Sequence, residues 1–277
     1  MLKILRTFIV ICILSICHLA NAKILTINQL SEILPEIKKS NSSTLLLFDI
    51  EDVLIVPLPE YDMHHPYRKL LLSQYKKTLS KQQIDEMLSI VLANRKVKFV
   101  DKDTAKIFDY IKKHHIPATI LTKCSTKSYG VIANMADFRM NEIKKLGLDF
   151  AQLSPFTKDA ILPDMVTDGP EKQVKTPIIK AGMIFTSRLN KAKVLEVILK
   201  QYNFYPTKII FIDDKLKNLH ALEDLSKKLH IDFVGYEFTG AQNLPKYSID
   251  VQKEESCFHT LREQHVWCYE CCGYLNK

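Results

Sequence analysis

The sequence predicts an α/β fold: a doubly wound parallel sheet with a helical cap inserted after the first core strand. Three observations predict it. Short apolar runs of strand length, TLLLF at 44–48, IPATILT at 116–122 and KIIFIDD at 208–214, alternate with stretches of helical periodicity. Only 7 glycines occur in 277 residues, too few for a loop-rich sandwich. The apolar runs also end in chemically capable side chains. Asp49 with Glu51 and Asp52 closes the first, Thr122 the second, and Asp213 with Asp214 the third. In open parallel sheets, sites form at the carboxyl ends of the strands.

The chain opens with MLKILRTFIVICILSICHLANA. Lys3 and Arg6 precede an apolar run that is short for a bilayer span, and Ala20-Asn21-Ala22 is a small-x-small cleavage pattern. This reads as a secretory leader over residues 1–22, so the expected location is outside the cytoplasm, periplasmic or secreted. No later stretch is apolar and long enough to span a membrane. The remaining 255 residues suit one large domain with an insertion. The net charge of +8 falls to +6 once Lys3 and Arg6 are removed. The basic residues are spread along helices, which gives no case for nucleic acid and slight support for an anionic substrate.

Element by element, residues 27–38 predict a helix capped by Thr26, and 44–48 a buried strand. YRKLLLSQYKKTL and KQQIDEMLSIVLAN predict two helices, the second capped by Ser80. Residues 103–114 predict an amphipathic helix, 116–122 a buried strand, and 128–146 a helix stopped by Gly147. The stretch 150–181 carries Pro155, Pro163, Gly169, Pro170 and Pro177 and predicts an irregular β-hairpin insertion. A strand follows at 182–186, a helix at 190–202 capped by Asn190, the strand at 208–214, a helix at 215–230 and a strand at 231–238. The core is therefore assigned to 23–54 and 101–250, the helical cap to 55–100, the β insertion to 150–181 and a Cys-rich tail to 251–277.

In that tail Cys257, Cys268, Cys271 and Cys272 cluster with His259 and His265. An exported protein favours one or two disulfides, while Cys268-x-x-Cys271 also has zinc-ligand spacing. Cys124 is the candidate for a free thiol.

If the three acid- and Thr-ended strands are neighbours, their carboxylates meet across a few ångströms. A hard divalent cation such as Mg²⁺ is the least costly way to hold them there. Asp213-Asp214 can also cap the following helix, and Asp49 and Glu51 alone would read as turn acids. Lys191, directly after its helix cap, competes with Lys193 as the cation of the site. His64-His65 could reach a ligand but are ordinary as solvated loop residues, and Tyr61 and Tyr67 read as packing.

A strand ending Asp49-x-Glu51, a strand ending at Thr122, Lys191 opening a helix and a strand ending Asp213-Asp214 together resemble the four motifs of the haloacid dehalogenase superfamily. The resemblance covers roughly 40–54 and 100–240, and is nearest to an exported bacterial branch with a helical insert. It implies that Asp49 is a nucleophile forming an aspartyl phosphate, and that Glu51 is the acid/base and lends a backbone carbonyl to the metal. It further implies that Thr122 binds the transferring phosphoryl, that Lys191 neutralises charge, and that Asp213 and Asp214 hold Mg²⁺ with Asp49. The substrate would be a small phosphorylated compound. Two positions depart from the pattern: Glu51 stands for the usual Asp, and Val53 for the usual Thr. They favour a rival reading, a binding or effector protein that keeps the fold without turnover.

Overall fold

The computed structural model describes residues 21–268 and the backbone of 274–275. Residues 1–20 of the expected leader, and Cys271 and Cys272, lie outside the described residues.

The first surprise comes at the start. AKILTI forms a strand, β1 (Ala22–Ile27), and only then does the chain turn through a 3-10 turn, Leu30–Ile33, and a short helix, Leu34–Ile37. The predicted helix at 27–38 is thus displaced, and Thr26 is a strand residue rather than a cap. The reason is tertiary: β1 runs parallel to a late strand, Ala22 beside Phe233 through Ile27 beside Phe238. A six-residue segment cannot announce a partner some 210 positions away. The expected cleavage point, after Ala22, follows the first residue of this strand.

After β2 (Thr44–Phe48) comes a small stem, β3 (Ile55–Pro57) paired antiparallel with β4 (Val97–Phe99). Between the stem strands lie α1 (Pro66–Tyr75) and α2 (Lys81–Asn94). His65 caps α1 through its ring nitrogen, and Ser80 and Gln83 form a capping box on α2. The insertion at 55–100 is therefore helical, on a two-stranded neck.

The core resumes with α3 (Thr104–Lys113), β5 (Ala118–Thr122) and α4 (Met135–Lys145). The helix predicted from 128 begins only at 135. Asn134 caps it by accepting from Ala136 and Asp137 N–H, and residues 129–132 form a tight turn instead. The stretch read as a β-hairpin-like insertion within the core gives β6 (Ala160–Ile161), β7 (Met165–Val166), β8 (Val174–Lys175) and β9 (Ile178–Lys180). Only β7 and β8 form a separate hairpin; β9 and β6 extend the main sheet. β9 turns into β10 (Met183–Phe185) through Ala181 and Gly182, both with positive φ. A Cβ at Gly182 would lie 2.3 Å from the Phe150 carbonyl oxygen, so no other residue fits there. The chain ends with α5 (Lys191–Gln201), β11 (Lys208–Asp213), α6 (Leu216–Leu229), β12 (Asp232–Phe238), β13 (Ser248–Ile249), α7 (Val251–Gln264) and β14 (Tyr274–Leu275).

The main sheet has the order β1-β12-β11-β2-β5-β10-β9-β6, with β1 through β10 parallel and the last two antiparallel. Alternate residues of each central strand face opposite layers. Leu46, Phe48, Ile210 and Ile212 pack with Ile107, Phe108 and Ile143 of α3 and α4. Leu45, Leu47, Ile209 and Phe211 pack with Leu195, Ile198, Leu219 and Leu222 of α5 and α6. Helices on both faces make the sheet doubly wound, as predicted. A third core, Leu71, Leu72, Met87, Ile90 and Val91 with Phe258, Leu261 and Trp267, joins the cap helices to α7. Among the described residues no helix is long and apolar enough to cross a membrane.

Candidate active site

Strand order alone brings the predicted residues together. β2 lies between β11 and β5, so Asp49 at the end of β2 is flanked by Asp213 and Asp214 on one side and by Thr122 on the other. The register is held past the last strand residue, because Asp49 N–H donates to the Ile212 carbonyl at 3.0 Å. One carboxylate oxygen from each of Asp49, Asp213 and Asp214 lies within 4.8 Å of the other two.

Lys191 enters from the opposite side. The loop before it is bound to the exit of β5: Thr186 N–H donates to Thr122 O, Ser187 N–H to Cys124 O and Arg188 N–H to Lys123 O. Ser187 and Arg188 are both left-handed, at φ 53° and 69°. For residues other than glycine that costs roughly 1 kcal/mol or more each, which these hydrogen bonds offset. Asn190 then caps α5, and Lys191 in its first turn is 1% exposed. Its ammonium lies 2.6 Å from Asp213 Oδ2 and 3.0 Å from Asp49 Oδ1. Lys193 is 55% exposed and pairs with Asp168, so Lys191 is the cation of the site.

Asp213 is fully buried and receives further donors: Asn218 Nδ2 to both oxygens, at 2.9 and 3.0 Å, and Lys215 N–H at 2.8 Å. It therefore serves the helix start as expected, although the N-cap position itself is Lys215. Burial pushes the Asp213 carboxyl above its ordinary value; Lys191 and Asn218 pull it down and Asp49 pushes it further up. Asp214 pairs with Lys215 at 2.6 Å.

The three carboxylates face few cations, and one of their oxygens is poorly served. Asp49 Oδ1 is buried and accepts no hydrogen bond; its contact with Lys191 is ionic and off the hydrogen-bond direction. Three oxygen donors of one sign, one of them an orphan, fit a hard cation such as Mg²⁺.

Glu51 is placed differently. The turn after Asp49 is closed by Ile55 N–H and Leu54 N–H donating to Ile50 O and by Asp52 N–H donating to Ile55 O, with Asp52 left-handed at φ 61°. Glu51 is bound by Arg95 and Arg139, at 2.8 and 2.6 Å. Both arginines are also held by the buried Glu142. Crowding by protein pushes the Glu51 carboxyl up, Arg95 pulls it down and Asp49 pushes it up again; the net direction is up. Burial likewise pushes Glu142 up to about 7, against the pull of Arg95. Val53 is fully buried in the core and has no hydroxyl with which to brace the turn.

Sequence reasoning missed Asn218, Arg95, Arg139, Glu142 and Lys123. Asn218, one helical turn past the Asp213-Asp214 pair, was the readable one. Lys123 follows Thr122; burial lowers its ammonium's affinity for a proton, and repulsion from Lys217 and Lys191 lowers it further. His64 is exposed, while His65 is spent on capping α1 and lies 5.0 Å from the Tyr247 ring. Tyr61 is buried in the third core, and the Tyr67 hydroxyl donates to Glu255 at 2.6 Å. Cys124 is half-buried, and its thiol is pushed up to about 12, chiefly by burial. In the tail, the buried Cys257 donates its S–H to the Cys268 carbonyl at 3.3 Å.

Comparison with known proteins adds the following. The chain is 21% identical over 208 residues to an uncharacterised protein of Rickettsia prowazekii (strain Madrid E), across 74% of this chain and 73% of that one. Among solved structures it is similar to a haloacid dehalogenase-like family hydrolase from Streptococcus pneumoniae. The identity there is 14%, the TM-score 0.36, and the coverage 69% of this chain and 93% of that one. It is also similar to a HAD family hydrolase from Salmonella enterica serovar Typhi, with 13% identity, TM-score 0.34, and 73% and 70% coverage. A family model described as "Protein of unknown function (DUF2608)" matches residues 26–267, and the chain belongs to that family.

Proposed function

We propose that the protein is an exported, Mg²⁺-dependent phosphatase of the haloacid dehalogenase type, acting on a small phosphorylated substrate through Asp49. The observation that carries the reading is the Lys191 ammonium, buried between Asp49 and Asp213 at the carboxyl edge of a parallel sheet, with Asp214 alongside. Asp49, Asp213 and Asp214 would hold the metal, which when bound supplies charge neutralisation to the phosphoryl oxygens. The rest is the work of the chain. Asp49 offers a carboxylate oxygen to phosphorus; the P–O bond to the leaving group breaks as the Asp49 O–P bond forms. Lys191 keeps Asp49 aimed. Thr122 and Lys123, at the neighbouring strand end, would meet the phosphoryl oxygens. Glu51 would donate the proton to the leaving oxygen and then take one from the water that releases phosphate.

The second reading, a binding or effector protein on the same fold, is favoured by one observation: Glu51 is held by two arginines. Turnover of an aryl phosphate by the purified protein, with Mg²⁺ and with EDTA, separates the two. EDTA-sensitive release of phosphate is expected; inertness toward that compound and toward a panel of phosphorylated metabolites would leave the binding reading. Export is tested by sequencing the amino terminus of the protein recovered outside the cytoplasm, expected at Lys23.

A further inference from the structure

Glu51 is the most accessible member of a four-residue ion cluster whose other side chains are largely buried. Arg95 Nη2 and Arg139 Nη1 both bind the same oxygen, Glu51 Oε1. On the inner side Glu142 accepts from Arg95 Nε at 2.6 Å and Nη2 at 2.9 Å, and from Arg139 Nη1 at 2.7 Å. Glu51 is 38% exposed, against 7% for Arg95, 12% for Arg139 and 7% for Glu142. Two guanidiniums face two carboxyl groups, so the departure of Glu51 takes away one of their two acidic partners.

On the phosphatase reading, upon which this inference rests, Glu51 has to turn from the arginines to the leaving-group oxygen. That movement would strip one negative charge from two nearly buried guanidiniums, and a buried charge without its partner is strongly unfavourable. An anion must take its place, and the substrate is the molecule present to supply one. Planar guanidinium donors match a carboxylate or a phosphate group. Glu51 follows Asp49 by two residues, and on the phosphatase reading it serves the leaving oxygen, so a group that replaces it at the arginines would belong to the leaving portion of the substrate.

We propose that Arg95 and Arg139 form a second anion site, filled by Glu51 in the free protein and by an acidic group on the substrate's leaving portion during turnover. The substrate class is then a phosphate ester of an acidic alcohol, or a compound with a second phosphate. A neutral leaving group provides no replacement, so Glu51 leaves the arginines less often and turnover is slower.

The test is binding to the full chain in Mg²⁺, measured by calorimetry, with three non-hydrolysable probes. Methylphosphonate carries one anionic group, phosphonoacetate adds a carboxylate, and methylenediphosphonate adds a second phosphonate. At least one two-anion probe should bind wild type more tightly than methylphosphonate, on the order of tenfold, the worth of one charge-assisted contact. Which of them does so tells carboxylate from phosphate. Glu51→Gln removes the carboxylate charge that competes for the site and should widen the preference about tenfold again. Arg139→Ala should erase it and leave methylphosphonate binding unchanged. Glu51→Gln keeps the shape of the side chain, so it reads the site even if Arg139→Ala fails to fold. Equal binding of all three probes to wild type and Glu51→Gln overturns the proposal, and so does absence of binding. Turnover of a neutral aryl phosphate without any two-anion preference would remove this inference and keep the phosphatase. A two-anion preference without turnover would do the reverse.

Discussion

Lys191 and Arg68 are both fully buried cations, and they sit in opposite kinds of surroundings. Lys191, 1% exposed, is wedged between Asp49 and Asp213 where strand ends converge. Arg68 and Glu254, both fully buried, join cap helix α1 to the late helix α7. Arg68 meets both Glu254 oxygens, at 2.6 and 3.1 Å, and donates as well to the Pro59 and Asp62 carbonyls. Around Lys191, carboxylates outnumber the nearby partner, and one Asp49 oxygen accepts no hydrogen bond. Around Arg68, the guanidinium fork and the carboxylate match each other in geometry. The difference teaches how to tell a working ion pair from a fastening one. A fastener satisfies the groups it buries; a site leaves charge for something else to complete.

The largest expected effect tests the first half of that statement. Asp49→Asn keeps an oxygen that can face Lys191 but loses the nucleophile. Turnover should fall by about 10⁴-fold or more, as for other nucleophile deletions. Circular dichroism on the same sample should be unchanged. Wild-type turnover in the variant would show that the unfilled charge at this edge is not there for that chemistry.

The next effect tests the other half. Arg68→Ala strands the Glu254 carboxylate in an apolar interior and should cost about 3–5 kcal/mol of stability. For a chain of this size that is roughly 10 °C in melting temperature. Turnover per folded molecule should not change. Replacing both partners, Arg68→Met with Glu254→Leu, should restore most of the loss, because the pair's worth lies in not being broken. If the double change is as harmful as the single one, the pair does more than fasten.

These two regions also differ in how far the sequence discloses them. Asp49, Thr122, Lys191, Asp213 and Asp214 stand at strand ends or at the opening of a helix. A parallel sheet turns that local position into spatial adjacency without further information. Asn218 was within reach by the same logic, one turn beyond Asp213. The cap and tail offer no such rule. Arg68 and Glu254 are 186 positions apart on helices whose faces look ordinary, and only packing through Phe258, Leu261 and Trp267 brings them together. The arginines on Glu51 were hidden for the same reason: Arg95 leaves the cap and Arg139 lies on α4. β1 was misread because its strand state depends on β12, not on its own six residues.

A smaller effect asks whether the three carboxylates await a cation. Mg²⁺ at about 100 times its Kd should stabilise the native protein by about 2.7 kcal/mol, seen as a rise in melting temperature that EDTA reverses. Asp214→Asn should abolish the rise and leave the Lys191–Asp213 contact in place. Arg68→Ala should melt lower but keep the Mg²⁺ response, since its fastener lies elsewhere. A metal response that survives Asp214→Asn would put the cation outside this cluster.

The smallest effect compares the two ends of one strand. β11 ends at Asp213, in the site, and begins at Lys208, which pairs with Glu36. Burial pushes the Glu36 carboxyl up, but the Lys208 hydrogen bond and charge, with Lys23 and Lys39 behind them, outweigh it and hold the group below its ordinary value. A carboxyl lowered in the folded state binds fewer protons there than in the unfolded chain. Its contribution is therefore complete above the ordinary glutamate range and is lost as pH falls through the folded value. Both side chains keep some exposure, so screening by water limits the pair to about 1 kcal/mol or less. Glu36→Gln should lower stability at pH 7 by that amount and flatten the acid limb of the stability curve below about pH 4.5. Added salt should shrink the difference between wild type and variant, because the pair is partly open to solvent. The fully buried Arg68–Glu254 pair should show no such salt dependence. Equal salt sensitivity of the two would mean that burial does not separate fasteners from surface pairs in this fold.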